Sequence, residues 1–499
     1  MSNTVCQKPN VLWIGVDSIR YDALACNGNT VCQTPNLDRL AARGVSFDRA
    51  YCPVSICSPA RTSMMTGKHA FTHGIITNCD MYHNPVSELP DPDMLLHTRI
   101  QKLGYRCGWI GKWHLETKKG PADYGFEGMN VLKNANFHQS PEFQAYLAEN
   151  DLSYDITEPV YFDVDQKALL AGVWNGPVES TPAHYLTNRA IEQMEAFAGS
   201  DAPFFLTCQF WGPHQPYVPS IEYAGYHDRN AIEPWINFED DWAGKPASVR
   251  RTHEDFYRAL PKDWESVLEG SPAGWRGVVG SYYDYIRMYD AEIGRMLDRL
   301  EALGLDKNTV IVFTSDHGDM TGSHGGMNDK GYMYEEAHRV PLIIAHAGSS
   351  PAASRSDELV YNMDIFPTLL DMLGIGDDSL DGRSLLPNLR GEKLAQSREE
   401  IFLEFHGIRF LYSQRAVVTR DGWKYIFTPG DQDEVYNLNE DPGELVNLLG
   451  IAEHADKIEE LRDRMMRCAI ATDDPLERGI SKFFGHWRPP GERSEPSMF

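Results

Sequence analysis

The chain has 499 residues, of which 42% are hydrophobic, 24% charged and 11% aromatic, a composition that excludes disorder, collagen and small disulfide scaffolds. At about 150 residues per domain this allows roughly three domains, and one large α/β unit with a smaller companion fits as well. Lys and Arg number 46 against 72 Asp and Glu, and the resulting charge of −26 repels polyanions, which argues against nucleic acid or an anionic membrane as the partner.

Residues 11–16, preceded by Lys8 and Pro9, form the longest apolar run near the N-terminus. That run is far short of a signal-peptide core or a membrane span of about 20 residues, so a cytosolic protein is expected. It is the first of five short, continuous apolar runs, followed by 105–110, 204–210, 309–313 and 341–345, the pattern of strands buried on both faces of a sheet. Helical patterns lie between them: 35–43 closed by Gly44, 182–198, and 278–302 closed by Gly304. Strands alternating with helices predict βαβ units and a doubly wound, mostly parallel sheet.

After about residue 385 the texture changes. Segments 402–405, 410–412, 415–419 and 423–427 read as a small antiparallel sheet, followed by a helix over 451–471. The tail carries Phe483, Phe484, Trp487, Pro489 and Pro490, too aromatic for a solvated end, so packing on its own body or on a neighbouring subunit of a homo-oligomer is expected. The predicted domains are therefore 1–385 and 386–499. The nine cysteines are odd in number and contain no CxxC pair, which argues against a disulfide framework or a structural zinc site. Buried thiols account for most of them.

Open α/β sheets bind ligands beyond the carboxyl ends of their strands. The first run ends in Asp17, the second leads into Lys112-Trp113-His114, the third into Pro213-His214 and the fourth into Asp316-His317-Gly318. Carboxylates, imidazoles and an ammonium are thus expected at one sheet edge. Lys112 and His114, two residues apart, point the same way if the segment is extended, with Trp113 turned into the packing.

Ser58 suits a helix N-cap, Pro59 the first helical position and Gly67 the end, which places Cys57 just before a helix N-terminus. Unpaired N–H groups and the helix dipole there favour an anion on residue 57; a buried cysteine in a turn is the ordinary alternative.

Cys57-Ser58-Pro59-Ala60-Arg61 with Thr66-Gly67 resembles the C-x-P-x-R signature of type I sulfatases, in which the cysteine is oxidised to formylglycine. The segments 34–40, 111–115, 213–217, 314–319 and 339–342 resemble the same family in order, as do 423–425, 436–438 and 441–445, so the likeness runs from about residue 9 to 450. The resemblance implies an alkaline-phosphatase-like α/β sandwich with a large mixed sheet and a smaller C-terminal antiparallel sheet carrying a helix.

The resemblance also implies hydrolysis of a sulfate monoester. One oxygen of a geminal diol at residue 57 attacks sulfur and displaces the alcohol, and the second hydroxyl then expels sulfate and regenerates the aldehyde. By the same likeness Asp17, residue 57, Asp316 and His317 hold one divalent metal. The carboxylates suggest calcium, and the imidazole leaves magnesium or manganese open. Ser18 stands where the family often has another ligand. Lys112 is implied to hold sulfate and the residue-57 oxygen, and His114 to act as the base. His214 with Lys330 serves the leaving-group oxygen, Arg61 steadies the nucleophile, and Asn78 touches substrate. These cations answer the problem set by the acidic chain, concentrating positive charge for one small anion. A formylglycine-generating maturation enzyme is an implied partner.

Two rivals remain at this point. Phosphonate monoester and phosphodiester hydrolases use the same nucleophile and also have Asp-His where many sulfatases have Asp-Asn, although Lys112-Trp113-His114 favours the sulfatase side. A catalytically silent binding protein would keep Cys57 unmodified. His69, His73, His83, His97, His324 and His338 read as structural or surface histidines. Between 213 and 274, Tyr217, Tyr223, Trp235, Phe238 and Trp242 suggest a lid with aromatic platforms, while local packing is the commoner fate of loop aromatics.

Overall fold

A computed structural model describes residues 8–81, 86–89, 91–131, 137–161, 168–256, 260, 263–265, 274–347, 352–408 and 412–476. The strands in chain order are β1 (Asn10–Asp17), β2 (Val45–Tyr51), β3 (Arg106–Gly111), β4 (Glu127–Gly128), β5 (Ile156–Tyr161), β6 (Leu169–Trp174), β7 (Phe204–Pro213), β8 (Thr309–Ser315), β9 (Leu342–His346) and β10 (Ser354–Tyr361). Eight of them form one sheet in the order β10-β2-β9-β8-β1-β7-β3-β4, and β5 pairs with β6 in a separate ribbon. Within the large sheet only β9 runs antiparallel to its neighbours β8 and β2.

The alternation of β1 shows why the sheet must be covered on both sides. Leu12, Ile14 and Val16 join a core with the Pro182–Ala198 and Trp275–Ala302 helices. Val11 and Trp13 face the opposite core, which includes Ile365, Phe366 and Leu369 of the Ile365–Met372 helix. Both faces are apolar, so the strand reads as one continuous run rather than an alternation.

β2 and β10 escape the sequence reading because Asp48 and Arg49, and Arg355, Asp357 and Glu358, interrupt their apolar patterns. They pair parallel with each other at one border of the sheet, where polar side chains reach solvent and blunt the edge.

The second sheet comprises β11 (Glu400–Phe405), β12 (Gln414–Thr419), β13 (Trp423–Phe427) and β14 (Glu434–Asn437), antiparallel and in that order. The short β14 was not expected, and of segment 410–412 only Tyr412 lies within the described residues. One face packs Phe402, Val417 and Tyr425 on Leu461, Met465 and Met466 of the Ala455–Ala471 helix. The other packs Ile401, Leu403 and Val418 against Tyr51, Val54 and Ile56, on the approach to the Cys57 segment. The aromatic tail and His83 lie outside the described residues. Among the described residues, no helix is long and apolar enough to cross a membrane.

Candidate active site

Four adjacent strands, β8, β1, β7 and β3, are parallel and nearly in register at their carboxyl ends: Val16 lies beside Ser315, Asp17 beside Pro213, and Gly111 beside Gln209. The residues that follow therefore emerge together, as the crevice rule requires.

The Cys57–Thr66 helix delivers the fifth element. It begins at Cys57 itself, with Ile56 as the flanking residue and Gly67 closing it at φ 66°. This corrects the expected N-cap: Ser58 is already in the first turn, where its N–H donates to Asn78 Oδ1 at 3.0 Å. Asn78, expected at the substrate, thus has a hydrogen bond to the start of this helix.

Ligand atoms of Asp17, Cys57, Asp316 and His317 all lie within 4.8 Å of one another, and all four residues are buried. Cys57 Sγ is 3.2 Å from His317 Nε2, and Asp17 Oδ1 is 3.5 Å from the same nitrogen. His317 Nδ1 is 2.8 Å from the Gly318 carbonyl, which fixes the proton on Nδ1 in the neutral ring and turns the Nε2 lone pair inward. Lys112 Nζ donates to Asp17 Oδ2, and Arg61 Nε donates to Asp316 Oδ2 at 2.9 Å. Two hard carboxylates and one inward imidazole nitrogen are the donor set of a divalent cation, so the residues present fit the implied ion. Ser18 Oγ donates to Asp17 Oδ1 at 3.1 Å and lies 3.5 Å from His317 Nδ1, so it contacts two members of the cluster.

The electrostatics single out residue 57. Burial and Asp17 push its thiol up, but Lys112, Lys330 and His317 outweigh them and hold it well below the usual range. The other seven described cysteines are all pushed up, chiefly by burial; Cys79 reaches about 12. Burial also opposes ionisation of Asp17, yet Lys112, His214, His317 and Arg61 together hold that carboxyl well below its normal value. His317, pulled down by burial, is held up at about 9 by Asp316 and Cys57. The site is a compact set of mutually compensating charges.

Lys330 Nζ meets His214 Nε2 and lies 3.0 Å from Asp329 Oδ1, bringing together two residues 116 apart in sequence. His214 Nδ1–H donates to the Gln215 carbonyl at 2.7 Å. The segment after Gly111 is not extended, which removes the premise of one extended face for Lys112 and His114, and the two have different partners. β3 ends at Gly111, whose φ is 93°, and a Cβ there would lie 2.0 Å from the Gln209 carbonyl oxygen. The chain turns, Lys112 reaches Asp17, and His114 Nε2 instead lies 3.3 Å from Asp80 Oδ1. Trp113 packs on Trp109, Tyr124 and Phe126 as expected.

Several supporting residues had no sequence signal. Gln209 Oε1 accepts from Arg61 Nη1 at 3.2 Å. Tyr282 OH donates to the Ser18 carbonyl at 2.8 Å, and Asn362 Nδ2 donates to the Ser315 and Asp316 carbonyls at 3.1 and 3.2 Å. Each bond joins positions distant in the chain, which periodicity and motif spacing do not register. The suspected lid aromatics are packed: Tyr217 is buried against Tyr282, and Trp235 lies under the Arg20 guanidinium, 3.8 Å from its ring centre. His69, His73, His97, His324 and His338 are all buried.

A family model described as Sulfatase matches residues 9–375, and one described as N-sulphoglucosamine sulphohydrolase, C-terminal, matches 322–471. An N-acetylglucosamine-6-O-sulfatase of Bacteroides thetaiotaomicron is 27% identical over 97% of this chain and 90% of its own length. An arylsulfatase of Clostridium perfringens is 29% identical over 92% and 94%. Among solved structures, a complex with the substrate D-glucosamine-2-N,6-O-disulfate superposes with TM-score 0.74 at 25% identity, covering 94% of this chain and 98% of that one. A phosphonate monoester hydrolase of Agrobacterium radiobacter superposes with TM-score 0.75, also at 25% identity, covering 93% and 96%.

Proposed function

The chain belongs to the sulfatase family of sulfuric ester hydrolases, and from that premise we propose that it cleaves a sulfate monoester to an alcohol and sulfate, using residue 57 as formylglycine and one divalent cation. The observation that carries this reading is the meeting of Asp17, Cys57, Asp316 and His317 within 4.8 Å at one sheet edge, beneath Lys112.

In the mature site the aldehyde hydrate supplies an oxygen nucleophile and the cation, calcium on the carboxylate count and magnesium or manganese on the imidazole, supplies Lewis acidity to the sulfuryl group. Asp17, residue 57, Asp316 and His317 would hold the cation. Arg61, fixed by Asp316 and Gln209, keeps the start of the Cys57 helix in one position. Lys112 and Lys330 offset the charge of a sulfate monoester in a site that excludes water. Lys330, whose ammonium meets His214 Nε2, and His214, held through Nδ1–H, together supply the proton that the departing alcohol oxygen takes up. His114 removes the proton whose loss restores the aldehyde. Asn78 lines the substrate side. Conversion of Cys57 requires a maturation enzyme.

Mass analysis of the peptide carrying residue 57, after expression with the maturation machinery, tests the first half of the proposal; an unmodified thiol would favour a silent binding protein. The superposition on a phosphonate monoester hydrolase supports a second reading, hydrolysis of phosphonate monoesters or phosphodiesters. Assaying one leaving group as its sulfate, phosphonate and phosphodiester separates the two, and a dominant phosphodiester rate reverses the choice. A screen of sulfated sugars, choline sulfate, alkyl sulfates and aryl sulfates identifies the alcohol.

A further inference from the structure

We propose that Asp80 is the positioning residue for His114, holding the ring by its Nε2–H so that the Nδ1 lone pair is the proton acceptor of the site. This rests on the reading of His114 as the base, and it adds a residue outside the sequence signature.

The geometry begins at the nucleophile helix. Ser58 N donates to Asn78 Oδ1 at 3.0 Å, and Cys79 N donates to Ser58 Oγ at 3.1 Å. These two bonds pin the 78–80 turn to the first turn of the Cys57–Thr66 helix. The same turn meets the 112–115 segment: Cys79 Sγ lies 3.8 Å from the His114 carbonyl oxygen, and Asp80 Oδ1 lies 3.3 Å from His114 Nε2. Ser58, the neighbour of residue 57, is therefore joined to Asp80 and His114 through short side-chain and backbone contacts of the 78–80 turn.

The His114 backbone supports a special placement. Its φ is 55°, in the left-handed region that a residue with a Cβ enters at a cost of about 1–3 kcal/mol. The ring is buried, and Nδ1 is enclosed without a hydrogen-bond partner in the protein. One nitrogen thus faces a carboxylate and the other faces none of the protein's polar groups. An ionised carboxylate only accepts, so the nitrogen beside it carries the proton and the neutral ring presents a bare Nδ1. The hydrogen bond to His114 is also the largest cause holding the Asp80 carboxyl below its usual value. Asp80 itself is about half exposed, with 49% of its side chain reaching solvent. The pair repeats the logic of a carboxylate that orients a catalytic imidazole.

Two measurements test the assignment. In the unmodified Cys57 protein, ¹⁵N-histidine NMR at mildly alkaline pH, with His114 assigned by its disappearance in His114→Gln, reads the tautomer directly. The expected result is an unprotonated Nδ1 in the parent and a mixed tautomer in Asp80→Ala; a protonated Nδ1 in the parent, or no change in the variant, overturns the proposal. In the matured enzyme with 4-nitrophenyl sulfate, Asp80→Ala lowers kcat about 10- to 100-fold, the usual effect of losing an orienting partner, with KM within about twofold. Asp80→Glu recovers part of the loss. Replacing Asp80 in a His114→Gln background adds no further loss if Asp80 acts through His114, and an additional tenfold loss there sinks the idea. Absence of sulfate hydrolysis in the parent would count against the proposed function and leave the tautomer measurement standing.

Discussion

Gly15 leaves the space that Gln209 occupies: a Cβ on Gly15 would lie 2.1 Å from Gln209 Oε1, the oxygen that accepts from Arg61 Nη1 at 3.2 Å. Gly15 stands in the middle of β1, where glycine otherwise weakens a strand, so its value lies in that close approach. The pair ties the sheet interior to the guanidinium that also holds Asp316.

Gly15→Ala displaces the end of the Gln209 side chain, which can rotate, so the fold is expected to survive with a loss of about 1–3 kcal/mol. Arg61 loses one bond and activity falls. Denaturant unfolding and kcat/KM check both parts, and Gln209→Ala introduced into Gly15→Ala adds little further loss of activity.

Cys57→Ala abolishes turnover while stability stays within about 1–2 kcal/mol, because a small buried side chain at a helix start is exchanged for one slightly smaller. Steady-state assay and thermal melting decide the outcome; a collapsed fold contradicts the assignment of Cys57 as a site residue.

The buried Asp17–Asp316–His317 cluster gains a compensating charge when a cation binds. Calcium at about 100 times its Kd is expected to stabilise the fold by about 2.7 kcal/mol. Chelation reverses the rise in melting temperature, and Asp316→Asn abolishes it.

Replacing His214 separates substrates by leaving group. His214→Gln lowers kcat for an alkyl or sugar sulfate by about 10²- to 10⁴-fold, the range of one positioned acid, and changes an activated aryl sulfate far less. Equal losses on both classes would remove His214 from the proton transfer.

His73 sets an acid limit to stability. Ile75 N–H donates to its Nδ1 at 3.2 Å and its Nε2 lies 3.0 Å from Ser63 Oγ, so the buried neutral ring is satisfied on both sides, and burial pulls it down to about 3. Its folded value lies below the ordinary 6.5, so the contribution is complete above that pH and is lost as pH falls toward 3, at up to about 1.4 kcal/mol per unit. Unfolding free energies measured between pH 7 and about 4 should fall less steeply for His73→Gln, and an unchanged slope contradicts the account.

Much of this protein is legible before any coordinates. The doubly buried strands appear as unbroken apolar runs, and after β1, β3, β7 and β8 carboxylates, imidazoles and an ammonium gather, because a parallel sheet presents its carboxyl ends to one crevice. Cys57, Arg61, Lys112 and Asp316 stand in local motifs, so their meeting at that edge was readable. The edge strand β10 and its neighbour β2 were not, since charged residues near the exposed border interrupt the apolar pattern.

The sequence by itself determined the sheet class and the family, and it named the residues proposed for the site, because burial, strand period and motif are properties of neighbouring positions. Only the tertiary structure decided that Lys112 and His114 part company after Gly111, that Gln209 braces Arg61, and that Asn78 and Ser58 join across the helix start to bring Asp80 to His114. The reason is physical: these relationships are hydrogen bonds between segments 20 to 148 residues apart, fixed by strand register and close packing, which no local pattern encodes.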